Sequence, residues 1–93
     1  PEKFMLHKNY PNPFNPITNI RYELPDTRDV KIKIIDISGR TIKSDIIENL
    51  NPGRHTYLWN GTNKAGYIVS SGVYFFHIEA GRDIRIQKML LLK

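Results

Sequence analysis

Gly72-Val73-Tyr74-Phe75-Phe76-His77-Ile78-Glu79-Ala80-Gly81-Arg82-Asp83 decides the fold class. Tyr74, Phe76 and Ile78 alternate with Phe75, His77 and Glu79, the period of a half-buried strand. Ala80-Gly81-Arg82 is short enough to turn the chain straight back into Asp83–Leu92, which closes the fold. Connections this short join antiparallel neighbours, because a parallel crossover needs a dozen or more residues.

The same period recurs upstream. Thr18–Leu24 places Ile20, Tyr22 and Leu24 on one face, and Val30–Asp36 places Val30, Ile32 and Ile34 inward. Thr41–Ile47 is weaker: Ile42 and Ile46 suit the core, and Ile47 is ambiguous. Arg54–Trp59 aligns His55, Tyr57 and Trp59, with Leu58 the alternative to Trp59 if the register slips by one. Tyr67–Val69 reads as a short edge strand. No window carries an apolar stripe of helical period, and alanine occurs only at Ala65 and Ala80. The expectation is an Ig-like antiparallel β-sandwich of about seven strands.

Between the strands, Asp36-Ile37-Ser38-Gly39 and Asn63-Lys64-Ala65-Gly66 share one pattern. The Asx side chain accepts from the backbone two residues on, and Gly39 and Gly66 take the left-handed position at no steric cost. Ahead of the first long strand, Asn9-Tyr10-Pro11-Asn12-Pro13-Phe14-Asn15-Pro16 carries three prolines and cannot enter a central ladder. It is expected to be extended and stiff. Asn12 and Asn15 would cap nearby backbone groups, and Tyr10 and Phe14 would dock it. Residues 1–17 are thus a lead-in packed on a sandwich of residues 18–93.

At 93 residues, with 40% hydrophobic and 25% charged side chains, the chain is one globular domain. Zero cysteines exclude a disulfide scaffold and a zinc–thiolate site. No apolar run approaches a membrane span, Pro1-Glu2-Lys3-Phe4 is unlike a signal peptide, and a start at proline reads as a piece of a longer chain. Net charge is +5, but Lys31 and Lys33 alternate with isoleucine and no block of five cations exists, so nucleic acid is not the expected partner.

Catalysis and cofactors find little support. His7, His55 and His77 lack metal-ligand spacing, and no pair among the nine acids is singled out. Asn60–Gly66 is too neutral for a calcium loop and reads as a turn. Asn60-Gly61-Thr62 is a formal glycosylation sequon and no more than that. Tyr57, Trp59, Tyr74 and Phe76 suggest a sugar-stacking platform, yet each falls on an inward face. Burying such a ring contributes about 1.5–3 kcal/mol, which a small domain needs in its core.

An ordered set of motifs resembles a known family. Tyr10-Pro11-Asn12-Pro13-Phe14-Asn15-Pro16, Ile20–Pro25, Ile35–Arg40, Trp59-Asn60-Gly61, Ser71–Phe76 and Lys88–Lys93 look like the type A C-terminal sorting domain of the type IX (Por) secretion system. Part of the pattern is also similar to the Ig-like domain of the flagellar hook-capping protein. The resemblance implies a non-catalytic address on a larger secreted cargo from a Bacteroidetes-like bacterium, N-terminal to this domain in one continuous chain. It implies recognition by an outer-membrane translocon and, as in many members, removal by a sortase-like surface protease, with no cofactor. Gly72 and Tyr74 match the family's G-x-Y element, and Lys88 and Lys93 its basic terminus, with four intervening residues where some members have three. Asn51–His55 matches its Pro-Gly region loosely. An Ig-like spacer and a carbohydrate-binding module of a secreted hydrolase are the alternatives.

Overall fold

A computed structural model describes residues 1–93. Seven strands form two antiparallel sheets packed face to face: β1 (Met5–Leu6), β2 (Thr18–Leu24), β3 (Arg28–Asp36), β4 (Thr41–Leu50), β5 (Gly53–Trp59), β6 (Gly72–Ala80) and β7 (Asp83–Leu91). One sheet has the order β1-β2-β5 and the other β4-β3-β6-β7. This is the expected Ig-like sandwich.

Alternation sets its core. Ile20, Tyr22, Ile32, Ile34, Trp59, Tyr74, Phe76 and Ile78 are all buried, whereas Leu58 is 53% exposed, so Trp59 is the inward residue of β5. The two-residue β6–β7 turn has positive φ at Gly81 (61°) but not at Arg82, the pattern of a type II′ hairpin. The two Asx–Gly turns are twins. Asp36 Oδ1 accepts from the amides of Ser38 (2.9 Å) and Arg40 (3.0 Å), and Asn63 Oδ1 from those of Ala65 and Tyr67 (both 3.0 Å). Gly39 and Gly66 both stand at φ 89°, as expected. The Asp36 carboxyl is held below its ordinary range, first by the Ser38 hydroxyl and then by these amides.

Several expectations need correction. Tyr67–Val69 is not a strand; Ile68 makes only an isolated bridge to Thr62, and the seventh strand is Met5–Leu6 instead. Ile46 is 66% exposed, while Ile42 and Ile47 both pack against the core. The first of two irregularities in β4 explains this. Ile34 faces Lys43 and Ile35 faces Thr41, leaving Ile42 as the extra residue of a bulge that reverses the facing of the residues after it. The second lies at Asn49, whose positive φ (52°) is supported by its amide donating to Asp29 Oδ1 (2.9 Å).

The lead-in is also different in detail. It is a series of bends and not an extended rod. Phe14 docks it, at 2% exposure, but Tyr10 is 74% exposed and anchors nothing through its ring. The buried Asn9 amide takes that structural role, donating to Thr18 Oγ1 (3.0 Å), which in turn donates to the Pro11 carbonyl (2.8 Å).

Candidate recognition surface

Residues of four of the motifs, far apart in sequence, converge at one end of the sandwich: Phe14 and Pro16, Trp59 and Gly61, Tyr74, and Leu91. The Phe14 ring lies 5.5 Å from that of Trp59, and Trp59 lies 5.1 Å from Tyr74 in an edge-to-face contact. Trp59 Nε1 donates to the Thr62 carbonyl (2.9 Å) and the Tyr74 hydroxyl to that of Ser70 (2.6 Å), so both polar tips are satisfied on burial. Gly61 faces Pro16 and Leu91 so closely that an added Cβ would lie 3.3 Å from the Pro16 carbonyl oxygen.

The C-terminal strand β7 forms the outer edge of the four-stranded sheet. Its register with β6 is unbroken from Gly72↔Leu91 to Ala80↔Asp83. The lead-in straps the far end of that edge. Phe14 N donates to the Leu90 carbonyl (3.0 Å), Leu92 N to the Phe14 carbonyl (2.9 Å), and Leu90 N to Asn12 Oδ1 (3.0 Å). Asn12 therefore caps a backbone group 78 residues away, not the local one expected of it. Prolines 11, 13 and 16 fit this role, since the strap makes few ladder bonds and these fall at Tyr10, paired with Asn19, and at Phe14.

The expected site residues fall into two places. Gly72 and Tyr74 stand with Lys93 at the strapped end: Gly72 pairs with Leu91, and Lys93 N donates to Ser71 Oγ (2.9 Å). Tyr74 is 5% exposed, so its side chain supports the Ser70 approach to β6 from within the core. Lys88 stands apart, exposed on the outward face opposite Phe75. Trp59, Tyr74 and Phe76 are buried and Tyr57 is half-buried, its hydroxyl donating to Asp45; burial and that carboxylate push the Tyr57 pKa up. These rings make a core, not a platform.

The rest of the surface is less organised. A cleft of about 280 Å³ between β1, β2 and β5 is lined by His7, Arg21, Tyr22, Glu23, Arg54, His55 and Thr56. Glu23 is already occupied there by His7 (2.5 Å), whose hydrogen bond holds the carboxyl below its ordinary range. Sequence reading missed two further ties at β7. Arg28 bridges Asp26 (2.5 Å), Asp83 (2.6 Å) and the Ala80 carbonyl (3.0 Å), and the buried Phe4 ring lies 5.5 Å beneath the Arg85 guanidinium. A lone Arg in a strand and a Phe in an N-terminal tail carry no sequence signal for such partners.

An all-β sandwich with an N-terminal strap over its C-terminal edge, and with its motif aromatics spent on packing, defines a small Ig-like module. The profile of the secretion system C-terminal sorting domains matches residues 8–93, and the chain belongs to that family, which is non-catalytic. Solved structures agree in fold. Dimeric latent PorU from Porphyromonas gingivalis superposes with a TM-score of 0.72 at 19% identity, covering 96% of this chain and 9% of that one. PorZ, an essential surface component of the type IX secretion system of the same bacterium, gives 0.63 at 21% identity, covering 97% and 11%. FlgD from P. aeruginosa gives 0.62 at 19% identity, covering 80% and 58%. The domain thus spans about a tenth of the first two chains. No curated protein sequence matches it significantly.

Proposed function

We propose that this domain is the C-terminal sorting signal of a larger cargo, directing it through the outer membrane by the type IX system to the cell surface or medium. In this reading residues 1–17 are a lead-in that adds the short strand β1 to the sandwich of 18–93, and the cargo continues N-terminally in the same chain. The partners are translocon components and a sortase-like surface protease that removes the domain after export. The residues read by the translocon are drawn from Gly72, Tyr74 and Lys93 at the strapped end and Lys88 further back along the same strand edge.

The family match over residues 8–93 carries this reading. The geometry supports it, because the C-terminal strand lies at a sheet edge where a receptor can reach its backbone. A reporter fused upstream of the domain tests it in a type IX-competent host. The fusion is expected at the surface or in the medium, and in the periplasm of a translocon-deficient strain. Periplasmic retention of a folded fusion in the competent host would leave a spacer module as the better reading.

A further inference from the structure

Strand β7 is closed at one end only. Because Leu90 and Leu92 direct their amides toward the strap, strand alternation directs the N–H and C=O groups of Ile84, Ile86 and Lys88 the same way, off the sheet. No strand or strap pairs with them. Only two side chains attend to this stretch: Arg85 Nη1 donates to the Ile84 carbonyl (3.0 Å), and Gln87 Nε2 to the Lys88 carbonyl (3.3 Å). The three amides and the Ile86 carbonyl have no protein partner. Natural edges are often blunted by bulges or proline. Here the register is regular, and Ile84 and Ile86 stand 50% and 62% exposed on the outward face.

We infer that the Ile84–Lys88 edge is a docking site for one extended strand of an acidic partner protein, added to the sheet by backbone pairing. Given the sorting role proposed above, that partner is the receptor of the export machinery. Charge selects the occupant. Arg82, Arg85 and Lys88 line the edge, and the one carboxylate among them, Asp83, is held chiefly by Arg28 (2.6 Å) and lies 3.9 Å from Arg85. A second copy would set these cations against their own kind in a chain of net charge +5, which disfavours edge-to-edge pairing. An added strand alternates its side chains. Apolar residues would lie beside Ile84, Ile86 and the aliphatic stem of Lys88 on the outward face, and acidic residues beside Arg85 on the other.

Two measurements test this. In the first, the purified domain is titrated with a synthetic eight-residue peptide alternating valine and glutamate, at a pH where glutamate is ionised. At about ten times Kd, exchange of the Ile84, Ile86 and Lys88 amides, followed by NMR, should slow roughly tenfold. A valine–lysine peptide should leave them unchanged. Equal effects of both peptides, protection elsewhere only, or concentration-dependent protection without peptide would overturn the acidic-strand assignment; the last would indicate self-pairing.

The second measurement uses the reporter fusion in the competent host. Ile86→Lys blunts the edge, and Ile86→Pro removes an outward amide without breaking the β6 ladder. Ile46→Lys makes the same change at a 66% exposed position on β4, the opposite edge strand of the same sheet. Both Ile86 variants, checked for folding by thermal melting, should accumulate in the periplasm while Ile46→Lys is exported. Ile86→Lys decides the outcome if the proline variant does not fold. Export of folded Ile86→Lys at the wild-type level would overturn the receptor assignment and leave the sorting role intact. Failure of the wild-type fusion itself would count against the sorting role, and the peptide titration would still decide the edge.

Discussion

The two halves of β7 have the same backbone and opposite surroundings. From Met89 to Leu92 the strand is strapped: Met89 and Leu91 are fully buried, and the outward groups of Leu90 and Leu92 are taken by Asn12 and Phe14. From Ile84 to Lys88 the residues are mostly exposed, and the outward amides face solvent. The difference lies in what covers the edge, not in strand propensity, since isoleucine suits a strand as well as leucine does. A small domain can therefore use one strand both to complete its core and to present an unfinished sheet. Closing the whole edge would leave a receptor only side chains to read; closing none would leave the terminus frayed.

The strongest way to break this contrast is to remove the strap's anchor. Phe14→Ala deletes a ring buried to 2% against Trp59 and should destabilise the domain by about 3–5 kcal/mol in urea unfolding. Leu91→Ala, on the same half of β7, should cost about 2–5 kcal/mol, toward the upper end if the cavity against Gly61 stays open. In the open half, Ile86→Ala should stay within ~0.5 kcal/mol of wild type. Comparable losses for Leu91→Ala and Ile86→Ala would mean that the two halves do not differ as described.

A finer test exchanges the state of one amide. Asn12→Ala leaves Leu90 N–H without its acceptor, at a cost of about 0.5–1.5 kcal/mol. Amide exchange at Leu90 should then approach that of Ile86, while the buried Met89 amide stays slow. If Leu90 stays protected, the strap is held by Phe14 alone.

How much of this contrast was legible beforehand depends on the range of the interactions. Alternation is local, so the inward faces of β2, β3, β5 and β6 could be read from residues such as Ile20, Ile32, Trp59 and Phe76. The twin turns were equally legible, because an Asx side chain bonds its own backbone within a few residues. Ile46 defeated the same logic: a bulge adds one residue, and one residue reverses the facing. The strap lay beyond local pattern altogether. Prolines told that Tyr10–Pro16 stays out of a central strand, but not that Asn12 and Phe14 reach Leu90. Nor did aromatic character tell Phe14 from Tyr10, since burial depends on the partner that tertiary structure supplies. The candidate recognition residues were nameable only by resemblance, and the structure separates them by location, with Lys88 on the open half and Lys93 past the closed one.

That separation gives the prediction with the smallest effect on stability. Lys88→Ala and Lys93→Ala change exposed side chains, and the Lys93 bond to Ser71 uses the backbone amide, which alanine retains. The double variant should therefore melt like the wild type, within ~0.5 kcal/mol. Its reporter fusion should nonetheless collect in the periplasm if a receptor reads the basic end of the domain. The single variants then divide the strand. Lys88 projects beside Ile86, where an acidic strand would lie, whereas Lys93 sits beyond the strap. Lys88→Ala alone should reproduce most of the export defect, and Lys93→Ala little of it. The reverse ranking would move recognition to the strapped end, near Gly72 and Ser71. Full export of the double variant would remove both lysines as determinants and leave the backbone edge as the feature that is read.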